Sequence, residues 1–266
     1  MRERTFELNG HRTRVLEAGG GWPVVLLHAF PLNAEMWQAQ LEQVPQGWRF
    51  LAPDLRGFGR SRPDISGPLT MADYASDVGA LLDALELERA WVGGLSMGGY
   101  VSFEVFRRMP ERLYGLLLAD TRPQADTPDG RQGRRASSEL VNAKGLGALA
   151  DQMLPRLLGA TSRRERGLEP DVRRMIEANS VAGVDAAIHA MMARPDSTAD
   201  LARITGPTFI VVGDEDELTP RADSELMQRE IRRSQLVVLP GAGHLSNLEV
   251  PDVFSAALEN FLTSSI

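Results

Sequence analysis

Four stretches of this chain are apolar almost without interruption: "WPVVLLHAF", "AWVGGLS", "LYGLLLAD" and "PTFIVVGD". A strand with one face in water alternates apolar and polar residues, so an unbroken run marks a strand covered on both faces, as in a parallel sheet. Segments with helical spacing lie between and around these runs. They are "AEMWQAQLEQV", "TMADYASDVGALLDALEL" with Thr70 as N-cap, "MGGYVSFEVFRRM" stopped by Pro110, "RADSELMQREI" and "PDVFSAALENFL". "WRFLAPD" and "QLVVLPGAGH" supply further strands, and "RTFELN" and "RTRVLEAG" around "GH" suit a hairpin at the start. The alternation predicts a mostly parallel sheet with helices on both faces.

The rhythm stops between Thr121 and Gly206. Residues 121–206 hold no strand-like run, only the amphipathic segments "RRASSELVNAKGLGALADQMLPRLLG" and "PDVRRMIEANSVAGVDAAIHAMMARP", with loops expected at "PQADTPDG" and "GATSRRERGLEP". An all-helical insertion between two strands predicts a lid over the sheet edge. The core domain is then 1–120 with 207–266, and 121–206 is the lid.

Composition narrows the function classes. A net charge of -7 among 266 residues argues against nucleic-acid binding, which needs a concentrated basic surface. With no cysteine there is neither a thiolate nucleophile nor a disulfide framework. No apolar run reaches the roughly 18 residues of a membrane span, and the first residues lack the apolar core of a signal peptide. The expectation is a cytoplasmic protein.

The chemistry centres on "VGGLSMGGY". Gly94-Leu95-Ser96-Met97-Gly98 is G-x-S-x-G between a strand and a helix, the context of a nucleophile elbow. There Ser96 stands exposed on a tight bend, and the helix N-terminus favours developing negative charge. A serine hydroxyl needs a base, usually histidine oriented by a carboxylate. Of the four histidines, His11 falls in the first hairpin and reads as a surface residue; His28 precedes a loop whose backbone serves another purpose. His189 sits on a lid helix. His244, after the last strand in "LPGAGHLSNLEVP", is the base by position and elimination. For the orienting acid, Asp216 in "VVGDEDELTP" is favoured, Asp214 is expected to cap turn amides, and Asp120 is the rival. Two amides should meet the oxyanion: that of Met97, after the nucleophile, and one from His28-Ala29-Phe30-Pro31. Phe30 is the choice there, because proline has no N–H.

Five motifs in this order resemble the α/β-hydrolase superfamily along essentially the whole chain. "LLHAFPLNAEMW" is similar to its oxyanion loop, "APDLRGFGRS" to D-x-R-G-x-G-x-S, "GLSMGG" to the elbow, "GDEDELTP" to the acid turn and "GAGHLSNLEVP" to the histidine loop. The resemblance implies an α/β-hydrolase fold, with a mostly parallel eight-stranded sheet and a helical lid between strands 6 and 7. It places the acid at Asp216. The chain is most similar to the group of 3-oxoadipate enol-lactonases, cofactor-free haloperoxidases (perhydrolases) and small carboxylesterases, which implies hydrolysis of a small ester, with lactone hydrolysis or perhydrolysis as the alternatives, and no metal or cofactor. Ala29 replaces the usual glycine of the oxyanion loop. Residues 121–206 contain no Phe, Tyr or Trp, whereas enol-lactonases of this group place an aromatic residue in the lid; an ester is therefore the leading expectation. A substrate pocket is expected among Phe30, Trp37, Met97, Met153, Leu157, Met191 and Met192, with Arg122 able to pair with a substrate carboxylate. A ligand-binding protein without turnover on the same fold is the reading of a different class, and a complete triad speaks against it.

Overall fold

The structure, a computed structural model, describes residues 1–63, 65 and 67–265. Eight strands form one sheet: β1 (Arg2–Leu8), β2 (His11–Gly19), β3 (Trp22–Leu27), β4 (Trp48–Pro53), β5 (Ala90–Leu95), β6 (Leu113–Ala119), β7 (Thr208–Gly213) and β8 (Ser234–Leu239). Their spatial order is β1-β2-β4-β3-β5-β6-β7-β8. The opening hairpin and the β2–β4 pair are antiparallel, and every later pair is parallel.

The helices are α1 (Gln38–Glu42), α2 (Met71–Ala84), α3 (Met97–Arg108), α4 (Pro128–Leu157), α5 (Ala160–Glu165), α6 (Glu169–Glu177), α7 (Val181–Met192), α8 (Arg221–Glu230), α9 (Ser246–Glu249) and α10 (Pro251–Ser264). Thr70 caps α2 in a reciprocal box with Asp73. Four helices, α4 to α7, separate β6 from β7. Two details differ from expectation. Helix α4 begins at Pro128 inside the expected loop, capped by Thr127, and bends at Gly145, whose φ of 78° no helix interior adopts. Residues 160–165, also expected in a loop, form the short α5.

The unbroken apolar runs are explained by the packing. Along β3, Val24 and Leu26 point into one cluster with Trp48, Trp91, Phe254 and Phe261, while Val25 and Leu27 point into another with Tyr74, Val78 and Val101. From Pro23 to Leu27 the strand is buried on both faces, so every one of these positions is apolar. Each such side chain contributes about 1.5–3 kcal/mol by leaving water. A third cluster joins Phe103 of α3, Ile210 of β7 and Met227 of α8.

The parallel strands point one way, so their C-terminal ends share an edge, where ligands of open α/β sheets bind. Register brings Leu27 beside Gly94, Leu95 beside Ala119 and Gly213 beside Leu239. The residues that follow these ends include His28 to Phe30, Ser96, Asp120, Asp216 and His244.

Candidate active site

Ser96 joins β5 to α3 with φ 55° and ψ -108°, a conformation that costs a non-glycine residue about 1–3 kcal/mol. Packing enforces it. A Cβ on Gly94 or Gly98 would lie 2.2 or 2.3 Å from the carbonyl oxygen of Leu27, so strand and helix meet only because both are glycine. The outer glycines have similar reasons: a Cβ on Gly93 would strike the Leu117 carbonyl at 2.1 Å, and one on Gly99 the Thr121 hydroxyl at 2.4 Å. Thr121 in turn donates to the Ser96 carbonyl at 2.8 Å.

His244 and Asp216 are brought together. His244 Nδ1 lies 2.8 Å from Asp216 Oδ2, and both residues are buried. Asp216 also accepts from the amides of Leu218 (2.8 Å) and Thr219 (3.0 Å) and from the Thr219 hydroxyl (2.6 Å). Burial pushes the Asp216 carboxyl up, but the charge and hydrogen bond of His244 and the bonds from Thr219 outweigh it and hold the carboxyl below its usual range.

Asp120 is placed differently. It is fully buried, accepts from the Gly213 amide (2.9 Å) and the Ser246 hydroxyl, and makes no hydrogen bond or ion pair with His244 among the described residues. Burial, reinforced by the charge of Asp216, drives its carboxyl well above the ordinary range. It reads as a brace between β7 and α9. Asp214 accepts from the Gly241 amide at 2.7 Å, tying the acid turn to the histidine loop.

Two amides are expected to meet the oxyanion, those of Met97 and Phe30. Met97 is the first residue of α3, where an N–H has no partner in its own helix. In the other loop the Ala29 amide is taken by Met36 Sδ (3.1 Å), and neither the Phe30 nor the Met97 amide donates to an acceptor among the described residues. His28 is held behind this loop. Its Nε2 accepts from the Leu55 amide (3.0 Å) and its Nδ1 donates to the Ala29 carbonyl (2.9 Å), which requires the neutral ring; burial brings its pKa down to about 4.

The expected pocket residues divide. Phe30, Met97 and Met191 share one apolar cluster, against which Met153 and Met192 pack. Leu157 is fully buried in the other cluster, which Met153 also touches. Trp37 is buried in that same cluster, its ring packed against Phe254 of α10 at 5.9 Å. Arg122 pairs with Asp126 (3.3 Å), which also binds Arg134 and Arg194 (2.8 Å). His11 corrects another expectation. It is buried, with Nε2 3.1 Å from the Thr13 hydroxyl and 3.6 Å from Asp77 of α2. His189 is half exposed beside Asp185 on α7. Among the described residues no group of three His, Asp or Glu side chains is spaced to hold a metal ion, and no helix is long and apolar enough to cross a membrane.

A strained serine between strand and helix, with a histidine–carboxylate pair at the same sheet edge, defines the class of α/β hydrolases. Residues 23–251 match the family model described as alpha/beta hydrolase fold, and the chain belongs to that family. Over 242 residues it is 30% identical to 3-oxoadipate enol-lactonase 1 of Acinetobacter baylyi, covering 91% of this chain and 88% of that protein. Among solved structures it is similar to a thermophilic esterase from Thermogutta terrifontis determined with malate bound (38% identity, TM-score 0.94, covering 100% of this chain and 99% of that one). It is also similar to the enol-lactonase from Burkholderia xenovorans LB400 (27% identity, TM-score 0.89, 98% and 100% covered).

Proposed function

We propose that this hydrolase cleaves small carboxylic esters through Ser96, His244 and Asp216. The observation that carries the reading is the 2.8 Å contact between His244 Nδ1 and Asp216 Oδ2, at the same edge as the strained Ser96. A carboxylate on Nδ1 fixes the proton there and leaves Nε2 as the base. Nε2 takes the Ser96 proton as Oγ attacks the ester carbonyl. The resulting oxyanion lies against the Phe30 and Met97 amides. As the C–O bond breaks, His244 returns the proton to the departing alcohol; it then deprotonates a water, which attacks the acyl-serine and releases the acid.

The helical insertion, residues 121–206, covers the core formed by 1–120 and 207–266. Met153, Met191 and Met192, with Phe30 and Met97, offer the acyl group a repackable apolar wall. Their flexibility suits short, varied apolar esters. Arg122 is engaged by Asp126, so a substrate carboxylate would have to compete for it.

A second reading, lactone hydrolysis, is favoured by the 30% identity to an enol-lactonase. The steps are the same, with the leaving alcohol still tethered to the acyl group. Turnover of p-nitrophenyl acetate and butyrate by wild type and Ser96→Ala tests the reading, and a parallel panel of lactones separates the two substrate classes. Equal rates for wild type and Ser96→Ala would refute it.

A further inference from the structure

Asn179 takes no part in the groups described so far. It lies at the corner between α6 and α7, buried, yet its side chain reaches out of the insertion into two loops of the core. Its Oδ1 accepts from the Gly59 amide at 2.8 Å. Its Nδ2 donates to the Pro31 carbonyl at 2.6 Å, and lies 3.0 and 3.2 Å from the carbonyls of Met175 and Ile176 at the end of α6. The approach depends on two facing glycines: a Cβ on Gly183 would sit 2.1 Å from the carbonyl oxygen of Gly57.

Pro31 follows Phe30, whose amide faces the oxyanion in the reading above. The same loop is tied at both ends to residues 54–60. At the front His28 accepts from Leu55, and at the back Asp54 accepts from the amides of Ala34 and Arg60, both at 2.8 Å. Between these ties, Asn179 is the side chain that grips the loop at Pro31, and it grips Gly59 of the supporting loop at the same time. A buried amide with donor and acceptor both engaged fixes two backbones relative to each other, because losing either bond leaves an unsatisfied group.

We infer that Asn179 is a positioning residue for the oxyanion hole: the helical insertion holds the loop further along, where Asn33 donates to the Met175 carbonyl (3.3 Å) and Arg174 pairs with Glu35 (2.8 Å), and at Pro31 the Asn179 side chain sets where the Phe30 amide points. This rests on the serine-hydrolase reading. Removing an oxyanion donor outright costs roughly 10²–10³ in kcat, so releasing its loop is expected to cost about tenfold.

The test compares Asn179→Ala with Ser180→Ala on p-nitrophenyl butyrate and with phenylboronic acid, whose tetrahedral serine adduct needs the same amides. Ser180 donates to Gly57 (3.2 Å) and caps α7 at Gly183 (3.0 Å), so its loss loosens the same corner without touching the oxyanion loop. Asn179→Ala is expected to lower kcat about tenfold with KM within about twofold, and to weaken boronate inhibition by the same factor as kcat. Ser180→Ala should lower Tm yet keep kcat. Asn179→Asp, which can still accept from Gly59 but has no N–H for Pro31, should lose kcat as Asn179→Ala does.

Wild-type kcat in folded Asn179→Ala, or equal losses in both alanine variants, overturns the inference alone. Failure of both Asn179 variants to fold while Ser180→Ala folds overturns it in favour of a purely structural role. Absence of turnover by wild type overturns the serine-hydrolase reading and this inference with it.

Discussion

The Thr121 hydroxyl donates to the Ser96 carbonyl at 2.8 Å, so the residue two beyond the end of β6 holds the bend at the end of β5. The same carbonyl receives the amides of Gly99 (3.0 Å) and Tyr100 (3.2 Å), and three donors thus converge on the strained residue. Thr121→Val keeps the shape and removes one donor. A loss of about 1 kcal/mol in urea unfolding is expected, with a severalfold fall in kcat as the serine relaxes. An unchanged midpoint together with unchanged kcat would mean that glycine packing alone maintains the elbow.

Asp216 and Asp120 compete in the sequence but separate in space, and their amide variants should separate in activity. Asp216→Asn loses the carboxylate that fixes the His244 tautomer, and a fall of about 10³–10⁴ in kcat is expected. Asp120 is held toward its neutral form by burial and by the charge of Asp216, and asparagine imitates a neutral acid there. Its oxygen can accept from Gly213 and its N–H₂ can donate to Ser246. Asp120→Asn should retain kcat within about threefold and unfold at or above the wild-type temperature. Steady-state kinetics on both variants checks this; greater loss in Asp120→Asn would exchange their assignments.

The alternation of dry strands and helices was legible because both faces of β3, β5, β6 and β7 are covered, which leaves a signature in each short run. Ser96, Asp216 and His244 were legible because each follows a strand end marked by glycine or an acidic turn. His11 was not, because its burial depends on Asp77, far along the chain in α2. Neither was the inward packing of Trp37 onto Phe254, which needs α10 in place. Asn179 had no local signal at all: its partners are carbonyls and an amide in distant loops, and backbone groups leave no trace in a side-chain pattern. Gly93 and Gly99 were visible as glycines, but their reasons, Leu117 and Thr121, lie on the neighbouring strand and beyond it.

His28 should make the fold sensitive to mild acid. Its ring is neutral in the native protein, with a pKa of about 4, whereas in the unfolded chain it titrates near 6.5. Between those values the unfolded state binds a proton that the native state refuses, so stability is complete above about pH 6.5 and falls as pH drops toward 4. The loss is on the order of 3 kcal/mol. His28→Gln can still accept from the Leu55 amide and does not titrate. Urea unfolding from pH 4 to 7 is expected to give a flatter profile for that variant than for wild type, and parallel profiles would assign the acid sensitivity to other groups. Glu17, brought to about 2 by Arg2 and Arg49 against the opposing effect of burial, acts at lower pH, below about 4.5.

Two glycines should respond oppositely to the same substitution. A Cβ on Gly98 would lie 2.3 Å from the Leu27 carbonyl oxygen and 2.8 Å from its carbon, backbone atoms of a central strand that cannot swing aside. Leu27 leads directly into His28 and the Phe30 loop, so relieving the clash displaces the loop proposed to meet the oxyanion. Gly98→Ala is expected to cost about 1–3 kcal/mol or more and to abolish most of the turnover of p-nitrophenyl butyrate that the proposed function predicts. Gly133 is exposed on α4 with nothing within 4 Å of its missing Cβ, and there alanine removes only unfolded-state freedom. Gly133→Ala should gain about 0.4–1 kcal/mol with kcat unchanged. Chemical denaturation and p-nitrophenyl butyrate turnover on the pair decide it. A tolerated alanine at 98 would mean that strand and helix can separate at the elbow, and the strained serine would then need another explanation.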